Sequence, residues 1–492
     1  MKKNVENRDK RENVFLALIF VTIILVCFRM FFKLNAIGIT DDDEAWHISN
    51  AYDMFKNNRW IINTHGDMVD YYNSKPPLAL IPIIISIKLF GPTLVAVKIP
   101  AALEGIATCV ILVSFLTKKY SAKEALAFST LFLMIDYLFD YHMYRTANLD
   151  ALFSLFFVLV IICLEKAREK SAYLMIAGFF VGQAFLTKGF HVMCIIPICL
   201  FSIPFADKEN RLKNVGRAIV ISLVTVIPWA VKRFMFDGTS FFHEMLFGEV
   251  NRKVTSGITW EYLLDITKGR IFKVLAVALI LYLCAVVITK ASKRKKDILT
   301  SDCGETAIYW LGLIVPVAAY SVAGSHYTWY IYPSYIMAAI ICSIYICKAA
   351  MMIKGMNLLY IGIVVLSLIL GGVAIYNYRD AGMGGGQANE YWGDLREVQR
   401  LYGTKYNGSN IYIQNVSRNG DDEIDFFHDD LFAYSVLLND FYCENGGIEA
   451  WLKNKDGILI LNKGLWEKYQ GVLADHVILQ DNGYLWFLPD MY

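Results

Sequence analysis

Asp43, Glu44 and His47 lie close together in the stretch DDDEAWHISNAYDMF, and Lys75 follows in NSKPPL. These residue types suit one kind of chemistry. A carboxylate accepts the proton of an attacking hydroxyl, while Lys or Arg holds a phosphate and stabilises charge on it as it leaves. The same types recur further along, as Asp140, His142, Arg145 and Asp150, then Lys188 and His191, then His243, Glu249 and Arg252, and finally His326. On residue types alone, this inventory serves an enzyme that moves a group off a phosphate carrier. It serves equally a transporter or flippase for a lipid-linked or anionic solute.

The elements that position these residues belong to a membrane. Of 492 residues, 56% are hydrophobic, 14% aromatic and 19% charged, the profile of an integral membrane protein. Apolar windows long enough to cross a bilayer fall near 14–32, 94–117, 122–139, 148–164, 171–187, 189–206, 217–236, 269–289, 305–323, 328–348 and 356–376, which predicts about eleven spans. A formal charge of +2 and the lack of an arginine-rich tract exclude nucleic acid as a partner. Eight of the ten cysteines sit inside apolar runs, Cys303 and Cys443 fall in separate polar segments, and no CxxC pair occurs; neither a disulfide framework nor a metal-thiolate site is expected. After the first apolar run, Phe28 to Lys33 offers no small-residue cleavage site, so that run reads as a retained span.

Lys and Arg cluster in alternate loops: at 118–123, 166–170, 208–217, 290–296 and 348–354. The positive-inside rule then makes the N-terminus cytoplasmic. The remaining loops, and everything after Asn377, face outward, as in a plasma-membrane protein. The expected organisation is a transmembrane domain over 1–376 with a large outer loop at 33–93, a linker at 377–390 containing AGMGGGQ, and a small α/β extracytoplasmic domain over 391–492. Strands are expected at 410–415, 457–461 and 476–480, and helices at 431–438 and 447–453. Within the outer loop, Thr40 and Asp41 to Asp43 are helix-start residues, and Ile48, Tyr52 and Phe55 share a face of an amphipathic helix. The run at 78–90 is too short to span and would break the alternation of basic loops, so it reads as an interfacial or re-entrant helix. Gly178 and Gly182 are spaced for close helix packing.

With this topology, five outer loops bring the acids and bases to one face. A transporter places charges along a path through the bilayer, so the one-sided arrangement favours an enzyme. Each residue also has a plainer reading: Asp43 as a helix-start residue, Asp150 as a partner of Arg145, and the histidines as hydrogen-bonded structural groups.

The ordered series DEAWHISNA, SKPPL, IKLFG, RTANLDALFSLFF, GQAFLTKG, PWAVKRF with FGEVNRK, and SHYTWYIYPSY resembles the polyprenyl-phosphate-sugar-dependent, C-type membrane glycosyltransferases. Within that class it is most similar to the protein O-mannosyltransferases and the lipid A aminoarabinose transferases. The resemblance spans roughly 14–350. It implies an inverting transfer of a sugar from a polyprenyl-phosphate carrier to a glycan, lipid or protein acceptor. It also implies roles: Asp43, with Glu44 beside it, as the catalytic carboxylate; Asp150 as a second acidic site residue; Lys75, Arg252, Lys188 and Arg145 toward the donor phosphate. His47, Glu249 and His326 are further site candidates. Aminoarabinose transferases usually carry a metal-ligating Glu before the Lys-Pro motif. Ser74 replaces it here, so no divalent metal is expected at that position.

Overall fold

The computed structural model describes residues 2–34, 38–65, 68–248, 251, 257–291, 298–353, 356–379, 405–406, 408–416, 422–423, 442–444, 446–481 and 484–488. Helices α1 (Lys2–Phe31), α2 (Asp42–Lys56), α3 (Leu80–Phe90), α4 (Leu94–Lys119), α5 (Ala122–Leu133), α6 (Tyr137–Asp140), α7 (Asp150–Ala167), α8 (Tyr173–Lys188), α9 (Ile196–Ser202) and α10 (Arg211–Asp237) occupy the first half. Then come α11 (Ser240–His243), α12 (Glu261–Lys268), α13 (Arg270–Ala291), α14 (Ile298–Ala323), α15 (Tyr332–Met352) and α16 (Met356–Asn377).

Among the described residues, eight helices are long and apolar enough to cross a membrane. They correspond to eight of the eleven expected windows. The other three are interrupted for visible reasons. The window 122–139 yields only the 12-residue α5. The one at 148–164 becomes the 18-residue α7, whose span includes Asp150, Glu165 and Lys166. The one at 189–206 starts at Gly189, whose φ of 56° ends α8, and holds a 3-10 turn over Gly189–Cys194 before Pro197 opens the seven-residue α9. Helix α15 is central, with 89% of its apolar window buried, whereas the window of α10 is only 6% buried. That peripheral helix is held by α8: a Cβ at Gly178 would come within 2.3 Å of the Ala218 carbonyl oxygen, and one at Gly182 within 2.8 Å of Thr225. The glycine pair thus has the packing role its spacing predicted.

Between α1 and α4 the chain makes α2, a two-stranded hairpin of β1 (Thr64–His65) and β2 (Met68–Val69), and α3. Asp41 caps α2 by accepting a hydrogen bond from the Glu44 amide at 2.8 Å. Helix α3 begins after a 3-10 turn at Pro77–Ala79 and ends at Gly91, whose φ of 78° closes it before Pro92. Ile48 and Ala51 of α2 and Ile83, Ile84 and Ile87 of α3 form one apolar cluster.

Near the C-terminus, β3 (Asn410–Val416), β4 (Asp422–Glu423), β5 (Tyr442–Glu444), β6 (Ile458–Asn462), β7 (Ile478–Asp481) and β8 (Tyr484–Phe487) form a sheet in the order β4-β3-β6-β8-β7, with β5 also paired to β3. Strand β3 runs parallel to β5 and β6, while β8 runs antiparallel to both β6 and β7. Strand alternation sorts the side chains. Ile411, Ile413, Ile458, Ile460 and Trp486 join the cluster of α2 and α3. Tyr412, Leu459, Leu461 and Phe487 cluster with Ile448 and Trp451 of α17 (Gly447–Asn454) and with Leu473 of α18 (Trp466–Leu473). The expected linker 381–387 and the helix expected at 431–438 lie outside the described residues.

Candidate active site

Helix α2 presents polar residues along one stripe: Asp43, His47 and Asn50, at spacings of four and three, share a face with Trp46. A polar stripe on a helix whose other face is apolar needs partners, and the hairpin segment supplies them. Asp70 accepts from the Trp46 indole at 2.6 Å and from the Asn50 amide at 2.9 Å, while Asn73 donates to Asn50 at 2.7 Å. Asn63 donates to the carbonyls of Asn73 at 3.0 Å and Lys75 at 2.9 Å, which fixes the backbone that carries Lys75. Asn50, Asn63, Asp70 and Asn73 were not singled out from the sequence; the stripe of Trp46 and Asn50 one turn apart was the available signal.

The result is a cavity of about 580 Å³. Asp41, Asp42, Asp43, Trp46 and His47 form one wall, and Tyr72, Asn73, Ser74 and Lys75 a second. Tyr141 and His142 from the α5–α7 connection, with Tyr327 and Trp329 from the segment before α15, complete it. Trp46 stacks on His65, with centroids 4.7 Å apart, and contacts Tyr72 at 4.7 Å. Across the cavity, His142 and Trp329 lie parallel at 3.9 Å.

The electrostatics separate the acids from the bases. Burial pushes the Asp43 carboxyl up, but the contact with His142 and the charge of Lys75 outweigh it and hold the group well below its ordinary 3.8. Asp43 is therefore an anion across the usual pH range, and with 41% of its side chain exposed it is open to the cavity. Burial, aided by the charge of Lys75, drives His47 down to about 3, so its imidazole is neutral. Its Nδ1 lies 3.1 Å from the Asn148 side-chain oxygen, an acceptor, which puts the proton on Nδ1 and leaves Nε2 as an acceptor. Burial opposes the charge on His142, yet Asp41, Asp150 and Asp43 raise it well above its ordinary 6.5.

Of the residues singled out from the sequence, Asp43, His47, Lys75 and His142 line this cavity. Asp150 is buried behind it, paired with Lys188 and 3.2 Å from His142 Nδ1, rather than with Arg145. Lys188 is thus engaged by a carboxylate and by the face of Tyr330, 5.0 Å away. Glu44 points away: it is fully buried, pairs with Lys98 at 3.3 Å and accepts from the amides of Thr40 at 2.7 Å and Ala147 at 2.9 Å. Glu44, expected beside Asp43, is thus held in a buried ion pair outside the cavity lining. Arg145 also lies outside the lining. Its guanidinium caps the end of α1 by donating to the carbonyls of Arg29, Met30 and Phe32, and stacks on Tyr378 at 4.1 Å. His326 lies away from the lining, between Glu261 at 2.8 Å and Asp265 at 2.7 Å. Glu249 and Arg252 lie outside the described residues. Among the described residues, no group of three or more His, Cys, Asp or Glu is arranged to hold a metal ion, and Ser74, in the cavity wall, has no carboxylate to offer one.

Comparison with known proteins agrees with this geometry. Residues 74–231 match the family model described as dolichyl-phosphate-mannose-protein mannosyltransferase. No curated protein matches the chain. Among solved structures, ArnT from Cupriavidus metallidurans bound to undecaprenyl phosphate is similar, with a TM-score of 0.68 at 12% identity over 96% of this chain and 97% of ArnT. Its apo state gives 0.69 at 11% identity over 98% of each chain. The oligosaccharyltransferase AglB from Archaeoglobus fulgidus, in complex with an inhibitory peptide and a dolichol-phosphate, gives 0.50 at 8% identity over 98% of this chain and 75% of AglB. The resemblance carried by the ordered motifs therefore holds in a family model and in the architecture, and the chain has the fold of the C-type, polyprenyl-phosphate-using membrane glycosyltransferases.

Proposed function

We propose that this protein is an inverting glycosyltransferase that moves a sugar from a polyprenyl-phosphate donor to an acceptor at the outer face of the membrane. The observation that carries the reading is an ionised Asp43 sharing one cavity with Lys75. Asp43 accepts the proton of the acceptor hydroxyl or amine as that group attacks the anomeric carbon. The bond from the anomeric carbon to the phosphate oxygen breaks, its electron pair stays on the phosphate, and Lys75 holds the charge that results. Inversion follows from attack on the face opposite the departing phosphate. Trp46 and Tyr72 on one side and Trp329 on the other offer aromatic faces to a sugar ring.

Arg252 is assigned a second contact to the phosphate, from the motif FGEVNRK. Asp150 orients the site through His142, and Lys188 balances Asp150 rather than binding phosphate. The membrane placement follows the basic loops: N-terminus cytoplasmic, the cavity and the C-terminal sheet outside. The segments 122–139, 148–164 and 189–206 complete the eleven crossings. Because the sheet packs on the α2–α3 cluster, residues 391–492 are assigned to acceptor selection as an extracytoplasmic α/β domain.

Purified protein incubated with labelled polyprenyl-phosphate sugars and candidate acceptors tests the reading. Transfer by the wild type, lost in a correctly folded Asp43→Asn variant, supports it. Equal transfer by both removes Asp43 as the base. Uptake of an intact lipid-linked sugar across a vesicle membrane, without transfer, favours the flippase instead.

A further inference from the structure

His142 is buried and held in a left-handed backbone conformation, φ 57°, which a residue with a side chain rarely adopts. Strain of this kind persists only where surrounding contacts enforce it. The contacts here are a ring stack and three carboxylates. Trp329 covers one face of the imidazole at 3.9 Å with the rings 8° apart. Nε2 lies 3.3 Å from Asp41 Oδ1 and 3.5 Å from Asp43 Oδ2, and Nδ1 lies 3.2 Å from Asp150 Oδ2.

We propose that His142 is a positioning residue for Asp43: an imidazolium, clamped between Asp150 and Trp329, that aims the Asp43 carboxylate into the cavity and keeps it free of a proton. Nδ1 is hydrogen-bonded to Asp150 and Nε2 lies within ion-pair distance of Asp41 and Asp43 without a formed hydrogen bond to either, a surrounding of carboxylates that suits a proton on each nitrogen. A neutral ring would turn one lone pair onto an anion. Charged and titratable groups surround it on each neighbouring element: the carboxylates Asp41, Asp42 and Asp43 on α2 and its cap and Asp150 on α7 offset its charge, Lys75 before α3 and Lys188 at the end of α8 oppose it, and His47 on α2 and Tyr141 lie alongside. Trp329 contributes only a neutral face. The consequence is a chain of alternating charge, Asp43–His142–Asp150–Lys188, in which each member fixes the next. The proposal rests on Asp43 being the base, but its test reads the Asp43 carboxyl directly.

Carbodiimide with an amine nucleophile modifies protonated carboxyls, and mass spectrometry of the full-length protein reports the extent at Asp43. At about pH 4.5, Asp43 in His142→Asn should label at least about tenfold faster than in wild type, the effect of a shift of about one pH unit or more. Asn tolerates the left-handed backbone, so this variant removes the cation without the strain. His142→Lys, which restores a cation, should return labelling toward the wild-type rate. The acid limb of the transfer rate should move upward with the labelling in His142→Asn. Unchanged labelling in a folded His142→Asn overturns the proposal. So does transfer that is abolished by a chelator and restored by a divalent cation, because Nε2 would then be a neutral metal ligand. A labelling shift in a protein that transfers no sugar defeats the glycosyltransferase reading and leaves the pairing of His142 with Asp43 standing.

Discussion

The connection between α5 and α7 carries two clusters of charge that look alike in sequence and differ in what they do. Asp136, Asp140 and Arg145 join Arg29 and Tyr378. There Arg29 donates to Asp136 at 2.8 Å, Tyr378 donates to Asp140, and Arg145 caps α1, so each group finds its partner within the protein. A few residues away, His142 and Asp150 join Asp41, Asp43 and Lys75 around a cavity of about 580 Å³. The first cluster fastens the ends of α1 and α16 together and borders a smaller cavity of about 310 Å³, where Asp140 is engaged by Arg29 and Tyr378; the second borders the larger cavity, with Asp43 beside Lys75. Neither residue type nor exposure distinguishes a lock from a site; what sets Asp43 apart is that its surroundings hold it well below the ordinary carboxyl range, whereas burial pushes Asp140 above it.

Substitutions can break this contrast. Asp43→Asn should lower transfer by on the order of 10³-fold with the melting temperature little changed, because the amide keeps the shape and loses the base; retained activity would place the base elsewhere. In Glu44→Ala the Lys98 ammonium stays buried without its counter-charge, and denaturant unfolding should show a loss of about 3–5 kcal/mol. Arg145→Ala should also act on stability, by about 2–3 kcal/mol from uncapped carbonyls, with the KM for the donor unchanged. A raised donor KM at normal stability would return Arg145 to the site. Lys75→Ala should cut kcat/KM for the donor by on the order of 10²-fold, the worth of a charge-assisted contact of about 2–3 kcal/mol.

The smallest effect concerns pH. The base function of a carboxyl with a depressed pKa is present above that pKa and is lost as pH falls through it, which for Asp43 lies below 3.8. Transfer at saturating substrate should therefore change less than about twofold between pH 5 and 7. A steep rise across that interval would show that Asp43 is not held ionised by His142 and Lys75.

Asp43, His47 and Lys75 were legible because a bilayer makes polar residues costly, so a polar stretch between apolar runs is visible in one dimension. The ordered motifs then gave the fold. The placement of Glu44 and Arg145 outside the cavity lining was not legible for a physical reason: their partners, Lys98 and the last carbonyls of α1, are distant in sequence, and nothing local marks a charge as already paired. His142 was visible as a residue but not as a bridge, since its three carboxylates come from two separate stretches of chain. The short helices α5 and α9 escaped for another reason: a hydropathy window averages over the cap at Met134 that ends α5 and over the 3-10 turn Gly189–Cys194 that precedes α9.

The seam between α8 and α10 has a mechanical meaning. An outlying helix whose apolar window is only 6% buried is held against its neighbour where two glycines remove the side chains that would prop it away. Its far end leads directly into the segment that contains FGEVNRK. Gly178→Leu would act as a wedge in the bilayer, prising α10 away from α8 at the point where the Ala218 backbone now sits against Gly178.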